Sequence, residues 1–69
     1  MQIDLKAARD DKEWTLETLA QKSGVNKSTI SRLERGATLP MHDTVKALEK
    51  ALGLKRGTLV FGQRDQAVA

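Results

Sequence analysis

Apolar residues recur along the chain at spacings of three and four, in runs closed by glycines or by polar turns. Residues 3–12 place Ile3, Leu5 and Ala8 on one side, with Ala7 able to join them, and leave Asp4, Lys6, Asp10 and Asp11 for water. That is the signature of an amphipathic helix. Residues 15–23 predict a second helix. Thr15 is its N-cap, Trp14 can pack on Leu19 as a hydrophobic staple, and Leu16, Leu19 and Ala20 share a face. A third helix spans residues 26–35, with Asn26 as N-cap, Val25 and Ile30 at the staple positions, and Ile30 and Leu33 as the buried pair. Gly24 and Gly36 bracket it.

After a turn around Pro40, residues 42–52 predict a fourth helix. It buries Val45, Leu48 and Leu52, has Ala47 and Ala51 beside them, and turns Lys46, Glu49 and Lys50 outward. Its start carries Met41 where a capping side chain would be useful. A short fifth helix, about 55–61, offers Leu59, Val60 and Phe61, with Gly57 as its weak point. Residues 62–69 show no periodicity and read as a flexible tail, which leaves 1–61 as the domain. Five short helices with tight connections leave little room for a sheet. The expected fold class is all-α and compact.

The 69 residues set one domain as the ceiling, with a core small enough that helix packing must supply most of the stability. The chain has no cysteine, which excludes a disulfide scaffold or a thiolate zinc site. No apolar run approaches the ~20 residues of a membrane span, and no signal-peptide pattern precedes the first charges. A cytoplasmic, nucleoid-associated protein is expected. The net charge of +3 is unevenly spread. Residues 1–25 sum to −1, residues 26–36 to +2 and residues 37–69 to +2. Basic charge therefore gathers in and after the third helix, as a polyanion partner would require. Charge alone favours the plainer reading, a solvated helix face that happens to be basic.

The spacing from Leu16 to Arg35 sharpens this. Ala20 allows close approach of the second and third helices, Gly24 permits the sharp corner, Val25 plugs it, and Ile30 and Leu33 anchor the third helix. Its outer face keeps Lys27, Ser28, Ser31 and Arg32. Two short helices joined by a glycine-containing turn, the second with a polar basic outer face, make a helix-turn-helix pattern at about 16–35.

On these residues the chain resembles the phage-repressor, lambda-repressor/Cro type of helix-turn-helix family over about residues 3–61. The pattern carries an arginine in the first helix (Arg9) and a threonine opening the second (Thr15). It continues with Leu19, Ala20, Gly24 and Val25, then with STISRLERG from Ser28 to Gly36. Pro40 and the ending Ala51-Leu52-Gly53 complete it. The resemblance implies a compact five-helix, lambda-repressor-like domain and sequence-specific binding of double-stranded DNA, usually as a homodimer. It points to Lys27, Ser28 and Arg32 as base-contacting. Lys and Arg suit guanine O6 and N7, and Ser suits several bases. A phosphate-only role for Lys27 and Arg32 is the plainer alternative.

Backbone contacts are expected from Thr15, Leu16, Lys22, Asn26, Ser31 and Arg35, the first two through free N–H groups at a helix start. Many family members carry a glutamine where this chain has Leu16. Leucine donates no hydrogen bond, and Glu17 beside it repels phosphate. The loop after Gly36 is poor in Lys and Arg. The resemblance also pairs Arg9 with Glu34 as a structural ion pair. His42, the only histidine, cannot make a metal site without further ligands, and core packing accounts for Trp14. No cofactor is implied.

The leading expectation is a transcriptional regulator, a repressor binding a two-fold symmetric operator. Leu59, Val60 and Phe61 either serve its dimer surface or close the core. The alternatives are an antitoxin-type or other protein-interaction module, with a toxin as partner, or the DNA-binding part of a longer regulator with an effector domain. No nucleophile–base pair, phosphate-cradling loop or pocket supports an enzyme.

Overall fold

The computed structural model describes residues 2–61; the expected tail at 62–69 lies outside the described residues. The order of elements is β1 (Ile3–Asp4), α1 (Leu5–Asp11), α2 (Leu16–Ser23), α3 (Lys27–Glu34), α4 (His42–Leu52) and β2 (Leu59–Val60). Caps explain most of the helix boundaries. Asp4 accepts from the Lys6 N–H, Thr15 from Thr18 and Asn26 from Ser28, so each of α1, α2 and α3 begins where a side-chain oxygen satisfies an orphan donor. Helix α4 begins at Met41 without a side-chain cap. Gly24, at φ +77°, ends α2 in the left-handed conformation that only glycine adopts without strain. Gly36, at φ +73°, closes α3: its N–H reaches the Leu33 carbonyl, and the Ala37 N–H reaches that of Arg32. This pair of bonds is a Schellman ending.

The core is a single cluster of Leu5, Ala8, Leu19, Ile30, Leu33, Leu48, Leu52 and Leu59, with Ile3, Trp14, Ala20, Val25 and Phe61 among the half-buried residues packed on it. Helix α2 packs on both α3 and α4, and α1 on α3. The α1–α2 corner turns through Glu13 at φ +59°, a conformation uncommon outside glycine, asparagine and aspartate.

Three expectations need correction. The first helix starts at Leu5, two residues after the expected Ile3, because Asp4 serves as its cap and Ile3 is extended. The expected fifth helix is absent: β2 pairs in parallel with β1, Ile3 opposite Leu59 and Asp4 opposite Val60. The fold is thus mostly helical, with four helices and a two-stranded sheet joining the two ends of the described chain, and not a five-helix, all-α domain. Glu49, expected outside, is only 4% exposed. The second and third corrections share a cause. The Glu49 carboxylate accepts from the Gly57 N–H at 2.9 Å, and Gly57 sits at φ +79°. That turn interrupts any helix through 55–61 and sends the β-branched and aromatic run after it into an extended course.

Candidate nucleic-acid interface

Helix α3 is held from below and open above. Ile30 and Leu33 are fully buried and seat it on the core. Its far end is tied by Arg9 of α1, whose Nε donates to Glu34 Oε2 at 2.7 Å and whose Nη2 donates to Oε1 at 3.1 Å. This two-pronged arrangement fixes direction as well as distance. Arg9 Nη1 also donates to the Trp14 carbonyl at 2.8 Å, so one guanidinium joins α1, the α1–α2 corner and the end of α3. The two side chains are 11% and 8% exposed. The hydrogen bond to Glu34 raises the Arg9 pKa further above its already high value; burial opposes this, and the charges of Glu34 and Asp10 add to it. Glu34 is thereby directed inward, away from the outer face of the helix.

That outer face forms a shallow groove of about 330 Å³ with the start of α2, lined by Leu16, Lys27, Ser28, Ser31, Arg32 and Arg35. It brings together six of the nine residues expected to meet DNA. Lys27, Ser28 and Arg32 are exposed and Ser31 is half-buried. Arg35 is exposed and folds back along the helix, its Nε donating to the Ser31 carbonyl at 3.4 Å. The acceptor-only bias of a phosphate or of a guanine edge would meet three cationic side chains and two hydroxyls here.

The remaining three do not line this groove. Thr15 Oγ1 is occupied by the Thr18 N–H at 3.1 Å, and Asn26 Oδ1 by the Ser28 N–H at 2.8 Å. Asn26 opens instead onto an adjoining depression with Glu17, Gln21 and Lys27. The Lys22 ammonium lies 5.2 Å from the centroid of the Trp14 ring, and that of Lys12 lies 5.5 Å from it. Such cation–π contacts at an exposed site are worth about 0.5–1 kcal/mol. Sequence reading gave Trp14 only to packing. Lys12 is a near neighbour that hinted at the contact, whereas Lys22 arrives through the fold. At the start of α2 the Leu16 and Glu17 N–H groups have no acceptor within the helix, as at any helix start.

The loop from Ala37 to Met41 lacks cationic side chains, and it exposes Leu39 (89%) and Met41 (74%). Among the described residues no cluster of His, Cys, Asp or Glu could hold a metal ion, and no helix is long and apolar enough to cross a membrane.

A family model described as helix-turn-helix matches residues 5–59. The chain is 43% identical over 54 residues to an uncharacterized HTH-type transcriptional regulator of Mycobacterium bovis, and equally to regulators of the same description from two strains of Mycobacterium tuberculosis. The match covers 78% of this chain and 21% of each relative, so the chain spans about a fifth of their length. No solved structure matches it significantly.

Proposed function

The chain belongs to the helix-turn-helix family of Cro/C1, lambda-repressor-like type, a family of non-enzymatic DNA-binding transcriptional regulators, and from that premise we propose that it represses transcription from a two-fold symmetric operator. Helix α3 lies in the major groove. Lys27, Ser28 and Arg32 meet base edges there, while Thr15, Leu16, Lys22, Asn26, Ser31 and Arg35 meet phosphates. The observation that carries this reading is the cationic groove on the outer face of α3, with the one acidic side chain of that helix drawn inward by Arg9.

A homodimer follows from reach. An eight-residue helix spans only ~12 Å and reads a few base pairs. Specificity then requires two copies with half-sites ~34 Å apart, one turn of DNA. Thr15 and Asn26 spend their side-chain oxygens on capping and Lys22 lies over Trp14, so phosphate contact from these three takes the Thr15 N–H, the Asn26 amide N–H and a Lys22 side chain swung off the ring, while the loop at 37–41 adds no cation.

Selection of bound duplexes from a random pool tests the reading, followed by titration of the enriched sequence against salt. A symmetric motif with a G·C pair in each half-site is expected, with log affinity falling by about 0.9 per phosphate contact for each unit of log salt. Lys27→Ala should cost ~1–3 kcal/mol on the enriched site and relax preference at one base pair. Equal weakening on all sequences would make Lys27 a phosphate contact. No enrichment would refute the operator reading.

A second reading is that these residues act as the DNA-binding part of a longer regulator. The relatives, of which the matched segment is 21%, favour it. An antitoxin-type role predicts a protein partner recovered with the chain from its native host, identified by mass spectrometry.

A further inference from the structure

Leu16 stands out in the groove on α3. Its other lining residues are Lys27, Ser28, Ser31, Arg32 and Arg35, all polar or cationic, and Leu16 is the one apolar side chain among them. It is half-buried: one side packs on the core cluster, and the other opens into the groove. Leucine offers DNA neither a hydrogen bond nor a charge. Against phosphate it would only displace water. The major-groove edge of B-DNA carries one apolar group, the C5-methyl of thymine. That methyl projects on the side of the base nearest its own backbone. A residue at the first position of α2, with its N–H directed at a phosphate, can therefore reach it with its side chain.

We propose that the Leu16 side chain is a base-reading residue, selecting thymine through its methyl group at one position in each half-site. The inference rests on the proposed operator reading and deepens it. The polar residues of the groove would then read donors and acceptors, while Leu16 reads shape and apolarity beside them. The expected preference is modest. Burying one methyl-sized group is worth ~0.8 kcal/mol, which is about a fourfold change in affinity.

The test uses the full chain and the duplex enriched from the random pool, with each thymine replaced in turn by deoxyuridine. This removes the methyl and leaves every hydrogen-bonding group in place. The wild-type chain should lose about fourfold at one thymine per half-site. Leu16→Ala removes the contact from both half-sites, so it should bind the thymine duplex about sixteenfold more weakly than wild type, fourfold per half-site, and show no further loss on uridine. Leu16→Met should keep the sensitivity. Because the thymine-to-uridine ratio is measured within each variant, a general loss of stability cancels. Leu16→Gln provides a second non-methyl-reading variant should Leu16→Ala fold poorly. Two outcomes overturn the inference while leaving the operator reading intact: no thymine sensitive to loss of its methyl, or sensitivity that persists in Leu16→Ala and Leu16→Gln. Absence of any enriched sequence removes both.

Discussion

Residues 15–36 and residues 49–60 are both short, mixed runs punctuated by glycines, yet they are held in different ways. In the first, the polar contacts that set the helix ends are mainly local. Thr15 caps three residues ahead, Asn26 two ahead, and the two ends of α3 are closed by its own flanking backbone. One long-range clamp, Arg9 to Glu34 across 25 residues, fixes its orientation. In the second, the securing contacts are distant. The Glu49 carboxylate holds Gly57 across eight residues, and Leu59 and Val60 pair with Ile3 and Asp4 at the opposite end of the described chain. The ends of the binding helix are thus set by neighbouring residues while its position is set by Ile30, Leu33 and Arg9, whereas both the conformation and the position of the closing segment depend on what it meets. This separation leaves the outer face of α3 free of structural duty, since its docking residues and its groove residues do not overlap.

The sharpest way to break that contrast is Arg9→Met. Helix α3 would keep its caps and its apolar anchors but leave the Glu34 carboxylate, 8% exposed, without its partner. Loss of one partner of a buried pair costs ~3–5 kcal/mol. Urea unfolding should show a loss near the lower end of that range, since the pair is not fully enclosed, together with weaker DNA binding. A change below ~1 kcal/mol would mean that the caps and the apolar anchors Ile30 and Leu33 define α3 without the ion pair.

Leu59→Ala probes the other region. Leu59 is 6% exposed and completes the core from β2, so truncation should cost ~2–3 kcal/mol in thermal or urea unfolding, toward the lower part of the range for large-to-small core changes. An unchanged midpoint would show that the two-stranded closure is dispensable. Glu49→Ala should cost less, ~1–2 kcal/mol, by leaving the Gly57 N–H unsatisfied. Hydrogen exchange separates local from global effects here: the amides of 57–60 should exchange faster while those of α3 hardly change. Uniform acceleration across both regions would show that they unfold as one unit.

The smallest expected effect is a gain. Met41 has the extended backbone of an N-cap, φ −87° and ψ 153°, but no side-chain bond, so Met41→Ser should stabilise by ~1 kcal/mol. No shift in the unfolding midpoint would indicate that α4 is defined by packing alone.

Short-range chemistry was legible in the chain. Thr15, Asn26, Gly24 and Gly36 act within three or four residues of their own positions, and the three-or-four spacing within each pair, Leu16 and Leu19, Ile30 and Leu33, Leu48 and Leu52, states which face is turned to the core. The weak start of α4 at Met41 follows from the same kind of information. Leu59, Val60 and Phe61 were different: three adjacent apolar residues carry no period, and so do not distinguish a helical turn from a strand. Glu49 likewise reads as a surface residue by type and position. Nothing near it in the chain announces that a glycine N–H will be brought to its carboxylate.

The candidate site divides along the same line. The residues of the outer face, Lys27, Ser28, Ser31 and Arg32, were legible because helical periodicity sorts them from Ile30 and Leu33. Tertiary structure alone decided that the Leu16 side chain, which periodicity groups with Leu19 and Ala20, opens into their groove, that Lys22 lies over Trp14, and that the chain closes as a parallel strand pair. The physical reason is reach. Capping, turn geometry and helical phase are properties of neighbouring residues, whereas shared grooves, buried carboxylates and strand pairing exist only once distant segments have been packed side by side.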